Sequence, residues 1–154
     1  MTADTAWATF EVMIRYSVTI SPRILAGLRR EAGATSPAEC CGALIGVTHD
    51  DSIEIRMMIP VTNVAHDHTA FRIDAPTVLR LERQAACAGV QVVGFYHSHP
   101  TTTAEPSAAD LENAVPGYVH LIVDVPRGRV RCWRLRDDRS GFHELDVALL
   151  AGAA

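Results

Sequence analysis

The run "VQVVGFY" from Val90 to Tyr96 constrains the fold more than any other stretch of this chain. It is short and almost unbroken in its apolar character, which predicts a central strand covered on both faces. Such a strand needs a layer above and a layer below, and the flanking sequence supplies both. Ser21 and Pro22 open a helix as cap and first residue, Ile20 can staple onto Leu25, and Gly33 reads as the stop. Asp74 caps a second helix in which Val78, Leu81, Ala85 and Ala88 share a face, with Gly89 as its stop. Around these, Ile14 to Ile20, "CCGALIGV", Ser52 to Val61 and the short "AFRI" read as strands. The small residues of "CCGALIGV" suit a buried strand whose backbone is closely approached. Beyond a third helix opened by Ser107, "YVHLIVDV", "VRCWRL" and "FHELDV" form a meander with turns at "PRGR" and "DDRSG". The expectation is α/β: one domain over residues 13–154, a mixed β-sheet flanked by helices, preceded by a loosely held tail over 1–12.

Composition narrows the function rather than the fold. A chain of 154 residues buries a core without disulfides, and 48% hydrophobic with 21% charged residues is ordinary for a globular domain. The formal charge of -4 and the absence of a basic run argue against nucleic acid or an anionic membrane as partner. Cys40, Cys41, Cys87 and Cys132 form no CxxC pair, so a reducing compartment, the cytoplasm, is the simpler reading. No signal peptide opens the sequence, and no apolar run is long enough to span a bilayer.

The chemistry gathers where the central strand ends, in "GFYHSHPTTTAEPSAADLEN". Residues two apart on a strand face one side, so His97 and His99 present both imidazoles to one spot. The Pro100 to Pro106 loop can return the chain, and Asp110 lies one helical turn beyond Ser107. Two histidines and a carboxylate make three N/O ligands, which fits zinc with an open fourth position for water better than a closed structural site. Water so bound has its pKa lowered from ~15.7 to ~7. Hydrolysis also needs a base and an oxyanion donor. Ser107 is a candidate donor and Glu39 a candidate base, although spacing alone leaves Glu39 level with several other acids.

His97, Ser98, His99, Pro100, Ser107 and Asp110, with Glu39 in "PAECCGALIG" upstream, resemble the JAMM or MPN-plus zinc isopeptidase family. The family pattern is a glutamate, then His-Ser/Thr-His, seven residues, Ser, two residues, Asp, and every position is filled here. "NVA" at Asn63 to Ala65 and "FRID" at Phe71 to Asp74 extend the resemblance over nearly all of the chain after Met13. It implies a cytidine-deaminase-like sandwich, one catalytic zinc with a bound water held by His97, His99 and Asp110, Glu39 as general base and Ser107 as oxyanion stabiliser. The chain is most similar to the compact prokaryotic members, which implies as partner a small ubiquitin-like or sulfur-carrier protein cut after its C-terminal Gly-Gly. A tail of that kind is recognised by β-strand addition.

Other readings weigh less. Ser107 and Asp110 also form a capping box, which is compatible with ligation. Ser98, pointing away from the imidazoles, is a candidate for a supporting hydrogen bond. "HDH" at His66 to His68 repeats the metal spacing without a placed carboxylate and reads as a surface or substrate-rim feature rather than a second metal site. Cys40 and Cys41 read as buried structural thiols. A non-catalytic or partner-activated MPN-type scaffold is the alternative function, although such scaffolds break the motif this chain keeps. A nucleobase deaminase needs H-x-E and P-C-x-x-C, and the chain has neither.

Overall fold

The computed structural model describes residues 16–151. The expected tail and the first two residues of the expected Ile14 to Ile20 strand lie outside them. In chain order the elements are β1 (Ser17–Ile20), α1 (Pro22–Thr35), β2 (Cys41–His49), β3 (Ser52–Val61), α2 (Ala75–Cys87), β4 (Gln91–His99), α3 (Ala108–Asn113), β5 (Val119–Asp124), β6 (Arg129–Leu135) and β7 (Phe142–Leu149). This is the expected mixed α/β domain.

The strands run in the order β1-β3-β2-β4-β5-β6-β7, and β1 closes the sheet by pairing in parallel with both β3 and β7. That closure was not legible, because pairing between the first and last strands depends on a partner more than a hundred positions away. β4 lies at the middle of the order, antiparallel to β2 and parallel to β5. Its two faces serve different layers. Val93 and Tyr96 join α1 residues Ile24, Leu28 and Ala32 in the larger core, whereas Val92 packs with Leu81 and Ala85 of α2 on the other side. The unbroken apolar run is therefore explained by two covering helices.

Ser21 and Asp74 cap α1 and α2 as expected, each side chain accepting from a backbone N–H in the first turn. Two expectations fail. α1 passes through Gly33 to Thr35, since Gly33 does not adopt the left-handed conformation that would end a helix there. "AFRI" is not a strand: its backbone is taken up by a side chain, as Asn63 Oδ1 accepts from Arg72 N (3.0 Å) and Asn63 Nδ2 donates to Ala70 O (3.0 Å). The close approach expected of "CCGALIGV" is real, because any Cβ on Gly42 would collide with the Ile59 carbonyl and the Tyr96 ring.

The parallel pairing of β4 with β5 decides where the chemistry sits. A parallel neighbour cannot be reached by a hairpin, so the chain leaves β4 through the Pro100–Pro106 loop and α3 before re-entering the sheet. The loop and helix thus stand over the carboxyl end of β4, where His97 and His99 emerge.

Candidate active site

Phe95, His97 and His99 alternate onto one face of β4, while Tyr96 and Ser98 face the other. His97 and His99 are buried, at 2% and 5% exposure. Asp110 reaches them from α3: its Oδ1 lies 3.1 Å from His97 Nε2 and its Oδ2 3.4 Å from His99 Nε2, while the two Nε2 atoms are 3.1 Å apart. The spacing of the sequence thus brings all three to one point, and they form a cluster able to hold a metal ion. Three lone-pair donors this close repel one another unless a cation or shared protons lie among them. Donors ~2.0–2.1 Å from a tetrahedral zinc lie roughly 3.3 Å apart, so the set fits zinc.

Each member is held by a second contact. His99 Nδ1 is 2.7 Å from Thr103 O, and since a carbonyl only accepts, Nδ1 carries the proton and Nε2 is free to ligate. The Phe71 ring stacks on His97 at 4.2 Å, tilted 18°. Asp110 is oriented by the capping box, with Ser107 N donating to Asp110 Oδ2 (2.7 Å) and Asp110 N donating to Ser107 Oγ (3.1 Å). Capping the helix and orienting the Asp110 carboxylate are one set of bonds.

Glu39 is 6% exposed and enters from the segment before β2. Ser98 anchors that segment, its Oγ accepting from Cys40 N (2.9 Å) and its N–H donating to Cys40 O (3.1 Å). Asn63 Nδ2 donates to Glu39 O (3.1 Å). Glu39, His99 and Ser107 line a cleft of about 250 Å³, with His68, Thr69, Thr101 and Thr102 at its sides. "HDH" accordingly contributes His68 to the rim. A larger, apolar pocket of about 320 Å³ lies on the Phe71 side of the cluster and includes neither the trio nor Glu39. The smaller cleft is where Glu39, His99 and Ser107 meet.

The electrostatics follow from burial and from the trio. Burial pushes the Glu39 carboxyl up to about 7; the charge of His99 opposes this, and Asp110 and Asp67 add to it. Burial also favours neutral His97, whose pKa is lowered. For Asp110, burial is outweighed by the hydrogen bonds from His97 and His99, which hold its carboxyl well below the usual range. Burial opposes charging of His99, but hydrogen bonds to Asp110 and Thr103 raise it. A deprotonated carboxylate beside a neutral imidazole is the state a cation requires. Cys40 and Cys41 are free, buried thiols pushed up to about 11 and about 12 by burial, as expected of structural cysteines.

Asn63, Phe71 and Thr103 were not assigned roles by the sequence. Asn63 and Phe71 stand in "NVA" and "FRID", but nothing local says that one ties down Glu39 and the other covers His97. Thr103 acts through its backbone, which leaves no mark on residue type.

A sheet-borne His-His-Asp cluster beside a buried glutamate defines a metal-dependent hydrolase domain. The family described as prokaryotic homologs of the JAB domain matches residues 21–136, so the chain belongs to that family and is a JAMM-type metallo-isopeptidase of the prokaryotic kind. It is 39% identical over 128 residues to the desampylase of Haloferax volcanii, covering 82% of this chain and 88% of that one. It is 30% identical over 126 residues to the CysO-cysteine peptidase of Mycobacterium tuberculosis, covering 79% and 85%. Among solved structures, a protein from Salinibacter ruber matches with a TM-score of 0.66 and 34% identity, covering 86% of this chain and 90% of that one. A protein from Desulfitobacterium hafniense matches in fold with a TM-score of 0.78, covering 88% and 94%.

Proposed function

We propose that this protein is a zinc-dependent hydrolase that cleaves the amide, isopeptide or peptide bond after the C-terminal Gly-Gly of a small ubiquitin-like or sulfur-carrier protein. The observation that carries the reading is the meeting of Glu39, His99 and Ser107 in one cleft, with His97 and Asp110 completing the cluster beside it. The relatives support the substrate class, one named a desampylase and another a CysO-cysteine peptidase. Free buried thiols support a cytoplasmic address, and among the described residues no helix is long and apolar enough to cross a membrane. The helices on opposite faces of β4 support the cytidine-deaminase-like label.

In this reading His97, His99 and Asp110 hold the zinc. When bound, the metal supplies a Lewis acid for the scissile carbonyl and an acidified water at neutral pH. Glu39 removes a proton from the attacking water and returns it to the departing amine nitrogen. Its raised affinity for a proton suits both halves of that transfer. Ser107 Oγ accepts from Asp110 N and keeps its own hydrogen to donate to the oxyanion. The trio stays fixed throughout, because His99 and Asp110 are each bonded to backbone.

The test is intact-mass analysis of zinc-loaded protein incubated with ubiquitin-like and sulfur-carrier proteins bearing adducts after Gly-Gly. Wild type releases the adduct and chelator abolishes release. Glu39→Ala keeps zinc and loses turnover, whereas Asp110→Ala loses both. Chelator-sensitive turnover retained in Glu39→Ala would remove Glu39 from the base role, and wild type inert on every carrier would overturn the substrate class.

A further inference from the structure

The loop between His99 and Ser107 has a functional residue at each end, and its middle is fastened to the far wall of the sheet. Cross-strand register explains how. His97 pairs with Ile122 and Ile122 with Arg131, while Phe95 pairs with His120 and His120 with Trp133. Arg131 and Trp133, two strands away on β6, therefore stand on the same face of the sheet as the metal cluster. The loop arches from β4 over β5 to reach them.

The contact is specific. Trp133 Nε1 donates to Ala104 O at 2.8 Å, and Ala104 is the buried residue of an otherwise exposed segment. The neighbouring carbonyl, Thr103 O, is the acceptor that fixes the His99 ring. Two successive carbonyls thus point to two partners, one in the sheet wall and one in the catalytic cluster. The next residue, Glu105, pairs with Arg131 at 3.0 Å. Arg131 is itself stacked over Trp133, 4.5 Å from the ring centroid, and held by Glu144 Oε1 at 2.7 Å and Oε2 at 2.6 Å.

We propose that Trp133 is a positioning residue of the active site: by holding Ala104 O it sets Thr103 O against His99 and fixes where the returning chain delivers Ser107. It touches neither metal nor substrate and acts through the loop alone. The activity arm of its test rests on the substrate class proposed above; the metal-affinity and imidazole arms rest only on the zinc site.

Trp133→Phe keeps an aromatic ring beneath Arg131 and removes only the N–H and part of the ring system. Zinc affinity, read by competition with a chromophoric chelator, falls about tenfold, the range expected when a ligand loses its orienting partner. On an accepted carrier adduct kcat falls with KM unchanged. In zinc-loaded wild type, nitrogen-edited NMR detects the His99 Nδ1–H and Trp133 Nε1–H as slowly exchanging signals, and in Trp133→Phe the His99 signal exchanges rapidly. Zinc affinity within twofold of wild type in folded Trp133→Phe overturns the proposal. So does rapid exchange of either signal in wild type, a measurement that stands even if the variant does not fold. Wild type without activity on any carrier overturns the substrate reading and leaves the other two arms to decide on Trp133.

Discussion

In the mechanism proposed above, Glu39 serves two opposite proton transfers. Its carboxyl is pushed up to about 7 chiefly by burial, so in metal-free protein it holds a proton that an exposed glutamate would have lost. As base it must be ionised, so kcat/KM should rise with pH through an acid limb. The positive charge of bound zinc favours the carboxylate and places that limb below the metal-free value. A pH-rate profile of wild type checks this, and an acid limb above pH 8 would remove Glu39 from the role. Stability gives the complementary sign. Because the folded-state pKa lies above the unfolded one, the group's contribution is fully present below the unfolded pKa and lost as pH rises through about 7. Metal-free Glu39→Gln should therefore match wild type near pH 4 and exceed it at pH 8 by up to about 3 kcal/mol in urea unfolding. Equal stability at both values would mean that burial does not set the titration. At this scale the clustering of His97, His99 and Asp110 was legible, since a strand and a helical turn convert sequence spacing directly into direction. Glu39 was not legible from spacing, because its place depends on Ser98 and Asn63, and only the family resemblance singled it out.

At the scale of elements, the glycines separate positions the fold requires from positions it tolerates. Gly94 lies in β4 against β5, and a Cβ there would meet Val119 Cγ2 at 2.7 Å and the Val119 carbonyl carbon at 2.9 Å. The obstacle is backbone, which cannot rotate aside. Gly94→Ala should push β4 from β5 and disturb the parallel pair that carries the histidines. Gly33 presents the opposite case: it lies inside α1 with nothing within 4 Å of an added Cβ. Gly33→Ala should stabilise by roughly 0.5–1 kcal/mol through helix propensity and a less free unfolded chain. Thermal unfolding of the two variants side by side tests both signs, and a stable, zinc-binding Gly94→Ala would show that β4 and β5 can separate without cost to the site. Gly33 reads as a helix stop in the sequence because residue type alone does not report the backbone angle. The "AFRI" segment misled for a related reason: a short, mostly apolar stretch resembles a strand, but here Asn63 takes Ala70 O and Arg72 N and the Val64 N–H donates to Arg72 O.

At the scale of the molecule, all 14 basic residues are arginine and the sequence contains no lysine. The net charge of -4 hides this, and it bears directly on the proposed substrate class. A carrier joined to proteins through isopeptide bonds needs an amine nucleophile, which lysine supplies and the permanently protonated guanidinium does not. Three of the four cysteines are buried, leaving Cys87 as the exposed thiol. Arginine still meets the structural need for cations, as in the pairs of Arg131 with Glu105 and Glu144 and of Arg127 with Asp124. A hydrolase of the proposed kind would therefore act on lysine-linked carriers without offering a lysine of its own. In a reaction of the Glu39→Ala chain with an activated carrier and a lysine-bearing bystander protein, the bystander should gain thiol-stable mass. The enzyme should gain none on any side chain, any transient thioester at Cys87 being removed by added thiol. Peptide mapping of this Glu39→Ala chain makes the test strict, because under the proposed role of Glu39 the variant is expected to leave in place any adduct that forms. A thiol-stable carrier adduct mapped to one of its side chains would show that attachment in this system does not require lysine, and the link between composition and substrate would be lost.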